Sequence, residues 1–572
     1  MTQTSTLSSA RPHSDRFRCG GRKGDFAVII CCLLSLGIAA GNLFGQVDKT
    51  PNLKELPEIA PDFEARLFAK EPLVRNACSL AFDSRGRMFV GQGPQYRTPI
   101  PSTPGDSVVI LEDTDGDGVA DKVRTFATGF NCIQGLAWHG KDLWVANAPD
   151  LTIVRDTDGD DVADEYIRVF TDLGNIEHAL HGLNWAPDGR LYMSKGNSKG
   201  VVIKNWKKDE PDRIAPKPFR ELWGVPGPPD APDFPPPRSF TRATYKATYQ
   251  DWKDDWGRMG GILRCEDMGR GLEIVARGYR NAFGLGVDAS FDWLGVDQDQ
   301  SDGDRLFMPF YGANFGWAHA WSAHWTGENH LPTVPISAPV IHGSLTGVLY
   351  ADAPNWPDKF RGVWIINDWL LKKTYLHRPD WKGALMQPQG GRWEDFIIGS
   401  KALYRPVDLA FGPDGALYII GWGSGYGVEW DKEGNMTNEG RIFRIMPKGA
   451  SPLPPPGNTK PPGMSVTELI AEFGSVLPVR RIDAQDELVR RGNTAAGDIR
   501  KALAQPGGSL GAVQPSPASG AGAWLPEIGG SAGTAASAPR LFGAPPALRR
   551  HPGRASGKLD RVCRHPHESR RH

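Results

Sequence analysis

The chain has 572 residues, and its 66 lysines and arginines balance 66 aspartates and glutamates, so the formal net charge is zero. A balanced surface has no overall field that attracts a polyanion, which excludes nucleic acid as the expected partner. The 68 glycines, 48 prolines and 19 tryptophans are typical of tight turns between aromatic-rich strands, and an all-β ring can hold several hundred residues as one domain. We therefore predict an all-β architecture.

The N-terminus, residues 1–46, is predicted to be an export segment. Five basic residues precede the uncharged apolar stretch of residues 26–45. Its most apolar part has the length of a signal-peptide core, whereas the whole stretch reaches the roughly 20 residues that a membrane-spanning helix needs. The sequence thus predicts either a cleaved signal peptide or a membrane anchor, and an exported protein of the periplasm or cell envelope in both cases.

A strand-turn-strand unit recurs along residues 60–446. Its copies are residues 79–92, 135–147, 182–196, 284–298, 408–422 and, in divergent form, 360–369. Apolar residues alternate into each turn and out again, which predicts about six similar sheets in series. One such sheet buries its faces only against its neighbours, so the pattern predicts a six-bladed β-propeller. The alternative is a β-sandwich with fortuitous hairpins.

A proline-dense insertion, residues 205–256, interrupts the series. Proline cannot donate to a strand ladder, so we expect this segment to lie over one face of the ring without joining a sheet. Three cysteines, Cys78, Cys132 and Cys265, fall within the propeller region. This sparse, odd set is not a disulfide framework, although one bridge among the three remains open.

The pattern changes after the propeller. A proline-rich linker, residues 447–463, precedes residues 464–504, where apolar residues recur at helical spacing and predict a short HEAT-like fragment. Residues 505–572 consist mainly of Gly, Ala, Pro, Ser and Arg without periodicity, and we expect them to be disordered. This tail is interpreted either as the truncated or frame-shifted end of a longer helical array or as a natural disordered tail.

Two aspartate-rich loops, residues 113–121 and 156–164, predict calcium binding. Aspartate occupies positions 1, 3, 5 and 9 of each loop, namely Asp113, Asp115, Asp117, Asp121, Asp156, Asp158, Asp160 and Asp164. This alternation directs carboxylates into one concave loop, as a hard cation with six to eight oxygen ligands requires. Neither loop has glutamate at position twelve, so they are not EF-hands. The alternative is a solvated acidic turn.

Two further segments carry a family resemblance. They are RGYRNAFGLGVD, residues 277–288, and DQDQSDGDRLFMPFYGANFGW, residues 297–317, and both follow a histidine, His178, that precedes a hairpin. This order resembles the soluble glucose and sorbosone dehydrogenases, six-bladed propellers that use pyrroloquinoline quinone. The aspartate loops, the export segment and the helical fragment resemble the membrane-bound dehydrogenase propellers of planctomycete-type bacteria. The resemblance covers roughly residues 60–446.

The resemblance implies roles for particular residues. His178 takes the position of the catalytic base, and Glu177 that of a neighbouring carboxylate which orients it. A neutral-range imidazole can take a hydroxyl proton while hydride leaves the adjacent carbon. The positions that contact the cofactor fall on Arg280, Asn281, Gln298 and Arg405.

The sequence also departs from the family at cofactor positions. A Gly-Pro pair, whose carbonyls hold the cofactor's calcium, is replaced by Asp299 and Gln300, and a second late arginine is replaced by Val407. Asp299 could supply a carboxylate to calcium, or the site no longer binds a quinone.

Two functions are therefore predicted. The first is an exported quinoprotein-like oxidoreductase that oxidises a hydroxyl of a sugar or alcohol and passes electrons to an external acceptor such as a cytochrome c. The chain contains no Cys-x-x-Cys-His motif, so it has no c-type haem attachment site of its own. The alternative is a non-catalytic, calcium-stabilised propeller that binds glycans or protein partners through the same face.

Overall fold

A computed structural model describes residues 56–96, 105–174, 177–199, 214–225, 227, 229–246, 256–299, 303–317, 334–399, 404–423 and 439–503. The predicted export segment, residues 1–46, and the predicted disordered tail, residues 505–572, lie outside these residues. Among the helices that are described, none is long and apolar enough to cross a membrane.

Strands dominate the fold, and the first two strands pair with strands of the last two blades. These are β1 (Glu58–Ile59) and β2 (Phe63–Lys70). Blade 1 follows with β3 (Ala77–Phe82), β4 (Met88–Gln92), β5 (Asp106–Glu112) and β6 (Lys122–Phe130). Blade 2 has β7 (Ile133–His139), β8 (Asp142–Asn147), β9 (Asp150–Arg155) and β10 (Glu165–Phe170).

Blade 3 is split by the long insertion. It has β11 (Leu180–Trp185) and β12 (Leu191–Lys195), then the inserted α1 (Lys217–Trp223) and β13 (Arg238–Thr241), then β14 (Gly260–Cys265) and β15 (Glu273–Tyr279). Strand β13 pairs with β10 and adds a fifth strand to blade 2. The expectation that the insertion joins no sheet is therefore wrong for these four residues, because they begin just after the last proline of the run and can donate to a ladder.

The remaining blades follow in chain order. Blade 4 has β16 (Ala282–Val287), β17 (Trp293–Asp297) and β18 (Arg305–Phe307). Blade 5 has β19 (Leu345–Ala351), β20 (Val363–Asp368), β21 (Lys373–His377), the side hairpin of β22 (Pro379–Lys382) and β23 (Leu385–Pro388), and β24 (Glu394–Gly399). Blade 6 has β25 (Pro406–Phe411), β26 (Leu417–Gly421) and β27 (Arg441–Pro447).

The N-terminal strands close the ring. Strand β2 pairs with β27 as the outermost strand of blade 6, from Phe63 opposite Pro447 to Lys70 opposite Arg441, and β1 pairs with β24 of blade 5. The innermost strands β3, β7, β11, β16, β19 and β25 contact one another in that order and then return to β3. The six-bladed β-propeller predicted from the recurring unit is confirmed.

Part of the recurring unit is a side-chain network at the hairpin turn. In blade 3, Asp188 of the turn accepts hydrogen bonds at Oδ2 from the Tyr192 hydroxyl (2.9 Å) and from Arg264 (3.2 Å). In blade 6, Asp414 accepts at Oδ2 from Tyr418 (3.3 Å) and Arg444 (2.8 Å). The Asp and Tyr of the Pro-Asp-Gly-x-Leu-Tyr pattern thus fix the turn to the third strand of the same blade.

The central channel has two ends. We call the face at which the six innermost strands begin the upper face, and the face at which they end the lower face. Because the hairpin turn follows each innermost strand, those turns lie on the lower face. Loops that join a second to a third strand, and loops that join one blade to the next, lie on the upper face.

Three α-helices follow the propeller. They are α2 (Val466–Ala471), α3 (Pro478–Arg491) and α4 (Asn493–Leu503). Helix α3 covers the lower end of the channel. The buried side chains of Val479 and Ile482 on α3 line a cavity of about 180 Å³ together with the ends of the innermost strands. Asp486 Oδ2 lies 2.6 Å from Nε2 of His139, and Asp483 accepts a hydrogen bond from the Gly140 backbone at 2.9 Å. Helix α3 is therefore fixed to the hairpin turn of blade 2.

Candidate functional site

The upper end of the channel is a cavity of about 240 Å³ that five of the six residues predicted for catalysis and cofactor contact line. These are Glu177, His178, Arg280, Asn281 and Gln298. Aromatic side chains of three other blades form much of the remaining wall, namely Tyr96, Trp369 and Trp422. The residues come together because each lies immediately outside an upper strand end, where neighbouring blades meet around the axis.

His178 has a buried, neutral imidazole. The residue precedes β11 in the chain, and it is 7% exposed. The Nδ1 atom is 2.7 Å from Oδ1 of Asn197. Because the amide oxygen only accepts, Nδ1 carries the proton and Nε2 the lone pair. Burial, followed by the nearby Arg280 guanidinium, lowers the pKa of His178 well below its usual range.

Asn197 was not identified from the sequence. Glu177, predicted to orient His178, lines the same cavity, but the side chain in contact with Nδ1 is that of Asn197. Asn197 follows β12, and its own backbone N–H donates to the carbonyl of Arg280 at 2.9 Å. The ring of Trp256, from the end of the long insertion, lies 4.7 Å from the imidazole. The insertion therefore reaches the upper face beside the predicted base.

A buried carboxylate fixes the Arg280–Asn281 segment. Asp297 accepts backbone hydrogen bonds at Oδ1 from Arg280 (3.1 Å) and Asn281 (2.8 Å). Its Oδ2 accepts from Nε and Nη2 of Arg305 at 3.1 and 3.0 Å, and both side chains of this ion pair are essentially unexposed. The peptide that carries two predicted cofactor residues is thus held by a charge pair inside blade 4.

Gln298 links blade 4 to blade 5. Its Oε1 accepts from Asn281 Nδ2 at 3.0 Å, and its Nε2 donates to the Leu345 carbonyl at 2.6 Å. The Arg280 guanidinium donates through Nη1 to the Gln298 carbonyl at 3.0 Å. No carboxylate within the described residues forms an ion pair with Arg280, which lines the cavity.

Arg405 reaches the site through an aromatic ring. Its guanidinium lies 4.4 Å over the ring of Trp369, and its carbonyl accepts from the Trp422 backbone at 2.9 Å. Both tryptophans line the cavity, whereas Arg405 is set back behind Trp369. Of the six residues predicted for catalysis and cofactor contact, five line the cavity directly and Arg405 supports its wall.

One departure from the family pattern, Val407, lines the cavity, and another, Asp299, contacts Asp304, which also lines it. Asp299 is buried, and its backbone N–H donates to Asp304 Oδ1 at 2.8 Å. Asp304 also accepts from the Leu345 backbone at 2.6 Å, and burial raises the pKa of this carboxyl to about 7. Val407 lines the cavity where a second arginine was expected. Gln300 lies outside the described residues.

The aspartate loops lie on the opposite, lower face. Carboxylate oxygens of Asp113, Asp115 and Asp117 lie within 4.8 Å of one another, and so do those of Asp156, Asp158 and Asp160. These six positions converge as predicted. Asp121 and Asp164 do not join the clusters, because each carboxylate instead accepts from a threonine hydroxyl of its own loop, Thr114 at 2.9 Å and Thr157 at 2.6 Å.

Each loop also joins two blades. The backbone N–H of Ala120 donates to the Phe68 carbonyl at 2.8 Å, and that of Ala163 donates to the Phe126 carbonyl at 2.8 Å. Phe68 and Phe126 belong to outermost strands of the preceding blades. The loops therefore connect blade 6 to blade 1 and blade 1 to blade 2, so a cation bound there would act on the packing of the ring rather than on the upper cavity.

One family model and several solved structures are similar to this chain. Residues 51–223 match a domain of unknown function, DUF7133. No curated protein matches the sequence. Among solved structures, the PQQ-bound aldose sugar dehydrogenase of Streptomyces coelicolor is 14% identical, with 68% of this chain and 100% of that chain covered and a TM-score of 0.40.

Two further structures have similar values. The soluble aldose sugar dehydrogenase of Escherichia coli in its apo-form is 14% identical, covers 68% of this chain and 100% of its own, and has a TM-score of 0.40. A calcium structure of a carbohydrate-active enzyme of Trichoderma reesei is 14% identical to this chain. The match covers 71% of this chain and 100% of that chain, with a TM-score of 0.43. The assignment of the fold rests on the strand pairing of this chain itself.

Proposed function

We propose that the protein is a quinoprotein-type oxidoreductase that oxidises a hydroxyl group of a sugar or alcohol and passes the electrons to an external acceptor such as a cytochrome c. One observation carries the proposal. A neutral imidazole, His178, and an arginine that no described carboxylate pairs with, Arg280, line the same cavity.

The imidazole supplies the base. Oxidation of a hydroxyl-bearing carbon removes two electrons and two protons, as a hydride from carbon and a proton from oxygen. Nε2 of His178 carries the lone pair that accepts this hydroxyl proton, because Nδ1 is engaged with Asn197. Burial keeps the ring neutral in the resting protein, so the base does not need to lose a proton before it acts.

The cavity wall fits a planar, anionic cofactor. Arg280 presents a forked set of N–H donors, which suits carboxylate and quinone oxygens, and Asn281 and Gln298 fix the adjoining edge. Trp369, supported by Arg405, and Trp422 supply flat faces for a ring system. Pyrroloquinoline quinone, when bound, would supply the acceptor for the hydride.

Cofactor retention tests the proposal. Purified protein incubated with pyrroloquinoline quinone and calcium should retain quinone that absorbance and mass spectrometry detect after gel filtration. Arg280→Ala should weaken retention about 10- to 100-fold, because hydrogen bonds to charged groups contribute about 1.5–3 kcal/mol. Arg392→Ala, at an exposed position, is the control and should retain quinone like the wild type. Wild-type protein that retains none would favour the non-catalytic propeller that binds glycans or partners.

Calcium at the aspartate loops is a separate part of the proposal. Three carboxylates at close range repel one another unless a cation lies among them, and the clusters at Asp115 and Asp158 offer only oxygen ligands. A cation that binds only the folded protein at a hundredfold excess over Kd adds about 2.7 kcal/mol to the free energy of unfolding. EDTA is therefore expected to lower Tm, and calcium to restore it.

The double variant Asp115→Ala and Asp158→Ala should abolish the calcium-dependent change in Tm. Asp358→Ala, which alters a fully exposed carboxylate, should leave that change intact. A wild-type Tm that does not respond to EDTA would identify the loops as ordinary acidic turns.

A further inference from the structure

The side chain of Lys195 lies directly behind His178 and has no part in the chemistry proposed above. Lys195 is the last residue of β12 and is 0% exposed. Its Nζ donates to three backbone carbonyls, those of His178 (3.0 Å), Gly196 (2.7 Å) and Ser198 (2.8 Å). A fully buried lysine surrounded by carbonyl oxygens next to a candidate base requires an explanation.

The geometry indicates that Lys195 is an ammonium group. A neutral amine has two N–H donors, whereas three carbonyl oxygens, which only accept, lie within hydrogen-bond distance of Nζ. Burial lowers the pKa of Lys195, and the nearby Asp172 carboxylate opposes that shift. The ring of Trp223 lies 5.5 Å from Nζ and adds a further favourable contact for a cation.

The three carbonyls belong to the two segments that form the His178–Asn197 pair. His178 precedes β11, whereas Gly196 and Ser198 flank Asn197 after β12. The Ser198 hydroxyl also donates to the His178 carbonyl at 2.6 Å. The segments approach so closely that a Cβ on Gly196 would lie 2.6 Å from Cβ of His178. The ammonium thus holds the backbone on both sides of Asn197 against the backbone of His178.

We propose that Lys195 is a positioning residue of the upper site, whose ammonium fixes the backbones of His178 and Asn197 so that the imidazole keeps its proton on Nδ1 and its lone pair on Nε2. The role of that lone pair as a base rests on the proposed function, but the positioning does not. The positive charge adds a second effect, since Lys195 and Arg280 both disfavour protonation of the ring.

Nitrogen NMR of the histidine ring tests this inference without an activity assay. Protein labelled with 15N-histidine is titrated, and the signals of His178 are assigned by their loss in His178→Gln. The wild type should show a single neutral tautomer with the proton on Nδ1. Lys195→Met keeps the length of the side chain but donates no hydrogen bond. It should populate both tautomers and raise the pKa of His178, because a nearby positive charge is removed.

Two variants separate positioning from general loss of structure. Ser198→Ala removes one of two hydrogen bonds to the His178 carbonyl and keeps the ammonium, so its tautomer signals should stay close to those of the wild type. Lys195→Gln keeps two N–H donors without the charge and serves if Lys195→Met does not fold. It should preserve the tautomer better than Lys195→Met while still raising the pKa.

Once the wild type has been shown to oxidise a sugar or alcohol, the Lys195→Met variant should have a kcat about 10²-fold lower with little change in KM. Small displacements of a catalytic group have effects of this size. Unchanged tautomer signals and titration in folded Lys195→Met or Lys195→Gln would overturn the inference. Altered signals in a protein that retains no quinone would support the inference and contradict the proposed function.

Discussion

Replacing His178 with alanine is expected to lower kcat for sugar or alcohol oxidation with an artificial electron acceptor by about 10²- to 10⁴-fold, the usual contribution of a general base. The substitution removes the one described imidazole that lines the upper cavity and leaves Arg280, Gln298 and the aromatic wall in place. Retention of quinone should therefore persist while turnover is lost. Steady-state kinetics and quinone content, measured on the same preparation, separate the two.

A matched variant controls for loss of packing. His377 on β21 is equally buried, and burial lowers its pKa to about 4, but it lies in blade 5 away from the upper cavity. His377→Ala should lower Tm by a similar amount and keep kcat within about twofold of the wild type. A quinone-loaded His178→Ala protein with wild-type turnover would show that another group accepts the proton.

The pH dependence gives a second readout of the same base. Because burial and Arg280 lower the pKa of His178 well below its usual range, the acidic loss of kcat/KM should begin well below pH 6.5. The lowered pKa of His178 also makes the free energy of unfolding depend on pH. The unfolded chain protonates this histidine near pH 6.5 while the folded protein keeps it neutral, so the free energy of unfolding falls as the pH is lowered through that range. Activity is therefore measured only at pH values where Tm lies well above the assay temperature, so that the loss of kcat/KM does not report unfolding.

The propeller was predictable because its signal is local. Alternating apolar residues and a turn define a hairpin within about 15 residues of sequence, and five of the six hairpins were found in this way. The sixth was found only in its second strand, since β19 and β20 are separated by residues 352–362, which are too many for the pattern to register as one unit. The closure by β2 and the docking of α3 depend on contacts between distant segments, which no local pattern reports.

The site residues that lie directly beside the ends of strands were predictable from the sequence. His178, Arg280 and Gln298 converge because the ring brings those ends together. Lys195 and Asn197 were missed for a physical reason: a lysine at the end of a strand is usually solvated, and its burial depends on three carbonyls that meet only in the folded chain.

The aspartate loops show a related limit of sequence reasoning. Thr114 and Thr157 stand at the second position of the two loops and engage the carboxylates at the ninth position. A hydroxyl at that position in both loops was the signal that could have predicted these two hydrogen bonds, and the role of Asp121 and Asp164 as metal ligands stays a prediction.

Breaking the buried ion pair of blade 4 is expected to have the largest effect on stability. Arg305→Met keeps much of the side-chain volume but leaves the Asp297 carboxylate, which is 0% exposed, without its cation. Loss of one partner of a buried pair typically costs about 3–5 kcal/mol. Two backbone carbonyls, those of Gly278 and Phe315, also lose the donors that Arg305 provides. Chemical denaturation should show a correspondingly lower free energy of unfolding.

The double variant Asp297→Asn with Arg305→Met tests whether charge causes the loss. It removes the unpaired carboxylate and keeps an oxygen that can accept from the Arg280 and Asn281 backbones, so it should be more stable than Arg305→Met alone. Equal stability of the two variants would assign the loss to packing. Quinone retention should follow the same order, because Asp297 holds the peptide that carries Arg280.

The pH dependence of Arg305→Met distinguishes charge from packing by its sign. Burial already raises the pKa of Asp297 in the wild type, and loss of the guanidinium should raise it further above the value of about 3.9 in the unfolded chain. The folded variant then binds a proton that the unfolded chain releases, so its free energy of unfolding decreases as the pH rises above 4. The difference in stability from the wild type should therefore be larger at pH 8 than at pH 5. A difference that does not vary with pH would contradict an unpaired carboxylate as its cause.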